Sequence, residues 1–307
     1  MRVLLAGATG VIGRQAVPVL AAAGHQVIGL ARTPIRLPDT EMVAVDALDQ
    51  AAVADAVRSA GPDVIVHMLT AVPDPVDPRH LDRDMALTNR LRTEGTANLV
   101  AAAGGARVIA QGVAYAYDPG GSPVKDEDAP LWRDPPAQFA PEVAALVAQE
   151  RRVTWAGGLV LRLGHLYGPG SSFAPEGGFA RRLRDGKVPL VGDGASMFSF
   201  IHVHDVATAI LAAVEHPTAS GVCNIVDDQP TLVHDWLPET AAMLGAPAPR
   251  HVPAVLARLF VGEWGVAFMT GLAGASNMLA RHQLDWKPTY SSWRDGLAAD
   301  LGVRAPP

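Results

Sequence analysis

RVLLAGATGVIGRQAVPVLAAAGHQVIGLAR, residues 2–32, reads as strand, glycine turn, helix and second strand in one pass. Val3 to Ala6 is an unbroken apolar run, the pattern of a strand buried on both faces of a parallel sheet. Gly7, Gly10 and Gly13 follow at GxxGxxG spacing. Gly7 permits the tight turn, Gly10 lets a pyrophosphate approach the backbone, and Gly13 lets the next helix pack close to the strand. Thr9 sits in the same turn, and the free amides around Val11 and Ile12 at the helix start would face the phosphates. Val11, Ile12, Ala16, Val19 and Leu20 recur at helical spacing, Gly24 is a fitting stop, and Gln26 to Leu30 is a second apolar strand. The stretch is a nucleotide-binding βαβ unit.

The end of the second strand selects the dinucleotide. An NAD site usually places Asp or Glu there for the ribose hydroxyls, whereas an NADP site uses Arg for the 2′-phosphate. Here the chain reads Ala31-Arg32-Thr33, and the next acid is Asp39. Arg32 as an anion clamp therefore predicts NADP (NADPH), with NAD the lesser fit.

A chain of 307 residues with 49% hydrophobic content suits one nucleotide-binding domain and a smaller lobe. No apolar run reaches a membrane span and the N-terminus enters a strand at once, so a signal peptide is not expected and the cytoplasm is the expected location. The single cysteine, Cys223, rules out an internal disulfide and a cysteine metal cluster. Net charge is −6 with no basic block, which argues against nucleic acid as a partner and for a small-molecule substrate.

Further along, strands are expected at Met42–Val45, Val64–Val66, Arg107–Ala110, Leu159–Leu163 and Gly221–Val226. Helices are expected at 51–57, 83–103, 142–153, 206–214 and 293–301. The alternation predicts an α/β fold: a Rossmann-type doubly wound parallel sheet with its site at the carboxyl ends of the strands. Residues 1–168 would form the nucleotide-binding domain, with 198–226 returning to it. Residues 169–197 and 227–307 would form a smaller, mostly helical C-terminal substrate lobe.

GATGVIG at 7–13, VDALD at 45–49, VIVHMLTAV at 64–72, EGTANLVAAA at 94–103, RLGHLYGPG at 162–170, FIHVHDVATAI at 200–210 and SNMLARHQLDWKP at 276–288 together resemble the extended short-chain dehydrogenase/reductases of the epimerase/dehydratase type. The resemblance covers nearly the whole chain and implies that Asp46 and the Ala47 backbone receive the adenine. It also implies that Leu69 and Thr70 line the ribose and pyrophosphate, that His165 to Tyr167 sit beside the nicotinamide, and that a homodimer is possible.

The same resemblance exposes two departures. The family's proton chemistry rests on a Ser or Thr after the fifth strand and a Tyr-x-x-x-Lys on the next helix. The fifth strand here reads Ala110-Gln111-Gly112-Val113. Aligning Glu150 with the acid that commonly follows the motif puts Glu142 and Leu146 at the Tyr and Lys positions. No tyrosine is followed by lysine four residues on. Tyr115, Tyr117 and His165 are the candidate replacements, and Glu142 a candidate base. The second departure is Phe198, which stands where sugar-nucleotide members place an arginine for the diphosphate. With Leu256, Leu259, Phe260, Trp264, Phe268 and Met269 it suggests an apolar substrate pocket. His202, His204 and Asp205 form no closed ligand set, so no metal site is expected.

The expected function is an NADP-dependent oxidoreductase acting on a carbonyl or alcohol of a non-nucleotide, partly apolar small molecule. Two readings stay open beside it: a redox-neutral dehydratase, isomerase or cyclase, and a non-catalytic NADP-binding regulatory protein.

Overall fold

A computed structural model describes residues 1–303. Its centre is a seven-stranded, all-parallel sheet. In chain order the strands are β1 (Arg2–Ala6), β2 (Gln26–Ala31), β3 (Thr40–Ala44), β4 (Val64–His67), β5 (Arg107–Val113), β6 (Leu159–Leu163) and β7 (Gly221–Ile225), and in space they run β7-β6-β5-β4-β1-β2-β3. The order reverses at β1, so the crevice lies above the carboxyl ends of β1 and β4, where a doubly wound sheet binds its ligands.

The apolar strand runs have a direct cause. Val3 and Leu5 of β1 pack into one core with helices α1 (Val11–Ala22) and Val203–Glu215, while Leu4 and Ala6 pack into another against Gln50–Ala60 and Ala140–Trp155. Alternate side chains face opposite layers, and both layers are helical. A further cluster, holding Phe139, Phe198, Phe200, Trp236, Trp264 and Trp293, sits beside the sheet, and Trp264 carries it to the wall of the crevice. The end of the expected lobe, residues 304–307, lies outside the described residues. Among the described residues, no helix is long and apolar enough to cross a membrane.

Three elements differ from the sequence expectation. The helix expected over 83–103 is broken into Leu81–Asp84, Ala86–Arg90, a wide π turn at Leu91–Gly95, and Thr96–Ala102. The buried His67 ring accounts for the wide turn: its Nε2 lies 3.3 Å from the Leu91 carbonyl and 3.1 Å from Thr96 Oγ1. Phe198–Val203 does not return to the main sheet. Phe200–His202 pairs instead with His165–Tyr167, and Met197–Phe198 with Thr231–Leu232. Finally, helix Ala254–Thr270 is kinked at Gly262, whose φ of 69° is left-handed. Leu256, Leu259 and Phe260, on the far side of the kink, are 53, 70 and 71% exposed and stand off the cavity that they were expected to line.

Candidate active site

One cavity of about 740 Å³ runs from the glycine turn to the aromatic cluster. Gly7, Thr9, Gly10, Val11, Ile12, Arg32, Asp46, Ala47, Leu69 and Thr70 all stand on its wall. Gly13 lies beneath, as its role requires: a Cβ there would come within 2.2 Å of the Gly7 carbonyl oxygen. Gly7 has φ 96°, and its own Cβ would come within 2.9 Å of the Met68 carbonyl.

The turn is built for an anion. The N-terminal residue Gly10 offers α1 no side-chain cap, and its first turn holds no acid, so the positive helix end faces the cavity uncompensated. Arg32 leaves the end of β2 exposed to solvent on the cavity wall. Asp46 is exposed, and its Oδ1 accepts the Leu48 amide at 3.0 Å. These residues could hold a dinucleotide, whose phosphates would lie at α1 and whose adenosine would lie between Arg32 and Asp46.

The candidate proton donors separate into two groups. Tyr115 and His165 reach the cavity wall and Tyr117 does not; Tyr167, expected beside the nicotinamide, stands off the wall too. Tyr117 is turned into the protein, where its hydroxyl donates to Asn224 Oδ1 at 2.8 Å and accepts from Arg162 Nη1 at 2.8 Å. Arg162 is held in turn by Glu150 at 2.7 Å, and burial pushes the Tyr117 hydroxyl up to about 12. The physical reason is that three polar groups beneath the sheet satisfy one another only if Tyr117 points inward. Tyr167 packs against Gly296 and donates to the Ser292 carbonyl at 3.3 Å.

His165 is sandwiched between two rings: Phe198 stacks on it at 3.7 Å with planes 4° apart, and Tyr115 at 4.7 Å. Its Nδ1 lies 3.2 Å from the Ser199 carbonyl, which can only accept, so Nδ1 carries the proton. Burial pulls its pKa down to about 3, and Nε2 has no partner among the described residues. His165 is thus a neutral ring with a bare acceptor, unable to donate a proton from Nε2 at neutral pH. Tyr115 is pushed well above the usual phenol range by burial and then by the Glu142 charge.

Glu142 does reach the cavity, yet it is fixed rather than free. Its Oε1 accepts from Arg92 Nη1 at 2.9 Å, with both side chains under 5% exposed. Leu146, one turn on, is 1% exposed in the aromatic cluster. Gln111 completes this end of the wall. Sequence reasoning missed Arg92. Nothing in the apolar spacing of its segment marks it; only the π turn rotates it toward Glu142. Trp264, Phe268 and Met269 line the cavity as expected, whereas Phe198 acts through His165 rather than on the wall.

The profile of the NAD dependent epimerase/dehydratase family matches residues 3–226. The chain belongs to that family. Along nearly its whole length it is also similar to a 3-diazoavenalumate denitrifying reductase of a Streptomyces species, with 48% identity over 98% of this chain and 100% of that protein. Among solved structures, the UDP-glucose 4-epimerase of Thermotoga maritima with UDP-glucose superposes with a TM-score of 0.78 at 20% identity, covering 98% of each chain. A human epimerase family protein with NADPH gives 0.73 at 20% identity over 98% of this chain and 99% of that one. At those identities the two structures bear on the fold. The family and the reductase relative make this chain an enzyme of the oxidoreductase or epimerase/dehydratase type.

Proposed function

We propose that the protein is an NADPH-dependent reductase that replaces the diazo group of a small, partly apolar carboxylate with hydrogen, using no proton from the protein. One observation carries this reading. Where relatives of this fold keep a proton-donating pair, Glu142 is locked to Arg92 at 2.9 Å and Leu146 is 1% exposed, so neither position offers a free proton donor. A carbonyl reduction needs a proton as well as a hydride, and losing a placed acid costs about 10²–10⁴ in rate. Loss of nitrogen from a diazonium does not: hydride forms the C–H bond, and the broken C–N bond leaves its electron pair on N₂. The reductase relative is named for a denitrifying reaction on a diazo compound, which supports the same chemistry here.

Arg32 supports NADPH over NADH, because it stands where a 2′-phosphate would arrive and the next acid along the chain is Asp39. When bound, the nicotinamide supplies the hydride. The chain's own residues hold and shield. The uncapped start of α1 and the Gly7–Gly10 turn bind phosphate. Tyr115, His165, Trp264 and Phe268 give the cavity an aromatic wall against which a planar ring can pack. Glu142, fixed by Arg92 at 2.9 Å, places its carboxylate beside the position of a cationic substrate.

The experiment is loss of nicotinamide absorbance when the protein, NADPH and a carboxylated arenediazonium are mixed. We expect one NADPH consumed per N₂ released, with a kcat that stays flat from about pH 6 to 8, since across that range His165 on the cavity wall stays neutral and Tyr115 stays protonated. A kcat that follows a single ionisation across that range overturns the proton-free account.

A further inference from the structure

We propose that Arg182 binds the carboxylate of the substrate on the aromatic-cluster side of the cavity and so selects for acids. The inference rests on the reductase reading only for the expectation that the substrate carries a carboxylate.

Residues 181–187 concentrate four cations, Arg181, Arg182, Arg184 and Lys187, on and just after helix Gly178–Arg184. Three of them are occupied. Arg181 lies 3.6 Å from Asp74 Oδ2, Arg184 donates to the Pro175 carbonyl at 2.6 Å, and Lys187 pairs with Asp185 at 2.8 Å. Arg182 has neither an ion pair nor a side-chain hydrogen bond among the described residues. It is half-buried, and it stands on the cavity wall with Phe179, three residues earlier and on the same helix face.

A guanidinium that stands on the cavity wall with no acceptor among the described residues is free to take its anion from a ligand. Its planar fork matches a carboxylate through two parallel N–H donors. The rest of the wall sharpens that selection. Phe198 is fully buried against His165, so no cation stands at that position, and Arg92 is already committed to Glu142. Arg182 then sets a positive potential at one end of a mostly apolar cavity.

The test is calorimetric titration of the protein, saturated with NADP⁺, with cinnamate and separately with methyl cinnamate. The wild type is expected to bind the acid about tenfold or more tightly than the ester. Arg182→Gln is expected to weaken the acid alone and erase the difference, and Arg182→Lys to keep part of it. Equal affinity for both, binding of neither, or a preference that survives Arg182→Gln overturns the proposal. Failure of the reductase reading shows elsewhere: the acid preference persists, but NADPH is not consumed with a diazo compound.

Discussion

Glu142 and Arg92 are buried together, and each is tolerable only because of the other. Glu142→Gln strips the partner from a buried cation, a change that typically costs about 3–5 kcal/mol. We expect that loss in urea unfolding, and we expect the double variant Arg92→Met with Glu142→Leu to recover most of it. Tyr117 makes a different case. Tyr117→Phe removes a hydroxyl that both Arg162 and Asn224 use, so unfolding free energy should fall by about 1–3 kcal/mol. Turnover per folded molecule should not change, because the ring stands off the cavity; a hundredfold fall in kcat would return Tyr117 to the chemistry. Arg32→Ala should raise the Kd for NADPH about tenfold or more and leave that for NADH nearly unchanged, as measured by titration with each. The sequence made Arg32 legible because a strand end has a fixed place. It could not reveal that Tyr117 turns inward, because its partners Arg162 and Asn224 are 45 and 107 residues away in the chain.

Elements were legible where one local pattern decided them. The first βαβ unit, the Leu159–Leu163 strand and the Trp293–Leu301 helix agree with the apolar runs and stops that predict them. The Leu91–Gly95 wide turn was not, because the apolar side of that segment continues on both sides of it and its cause, His67, lies on a distant strand. Gly262 likewise splits an apolar helix that reads as continuous, and the split decides which half meets the cavity. The glycine turn gives an element-scale prediction. Gly13→Ala would press its Cβ against the Gly7 carbonyl and the Ala8 backbone, so α1 must move off the turn. NADPH affinity and melting temperature should fall together; a variant that binds as tightly as the wild type would mean that the turn does not need that close approach.

At the scale of the molecule, two neutral histidines tie stability to pH. Burial pulls His67 down to about 4 and His165 to about 3, below the ordinary value near 6.5 that each regains on unfolding. The unfolded chain therefore takes up protons first. Their contribution is complete above pH 6.5 and is lost as pH falls toward the folded values. His165→Phe, which keeps the stack with Phe198, should show a smaller drop in melting temperature between pH 7 and pH 5 than the wild type. An equal drop would mean that the ring is not held neutral. The sheet and the aromatic cluster meet over a single cavity, and the whole account turns on what passes across it. The most direct measurement uses NADPH carrying deuterium at the transferable position, with a carboxylated arenediazonium in ordinary water under anaerobic conditions. We expect a product with one deuterium at the carbon that lost nitrogen, and one NADP⁺ formed for each. A product holding only solvent hydrogen, or nitrogen release without NADPH consumption, would contradict it.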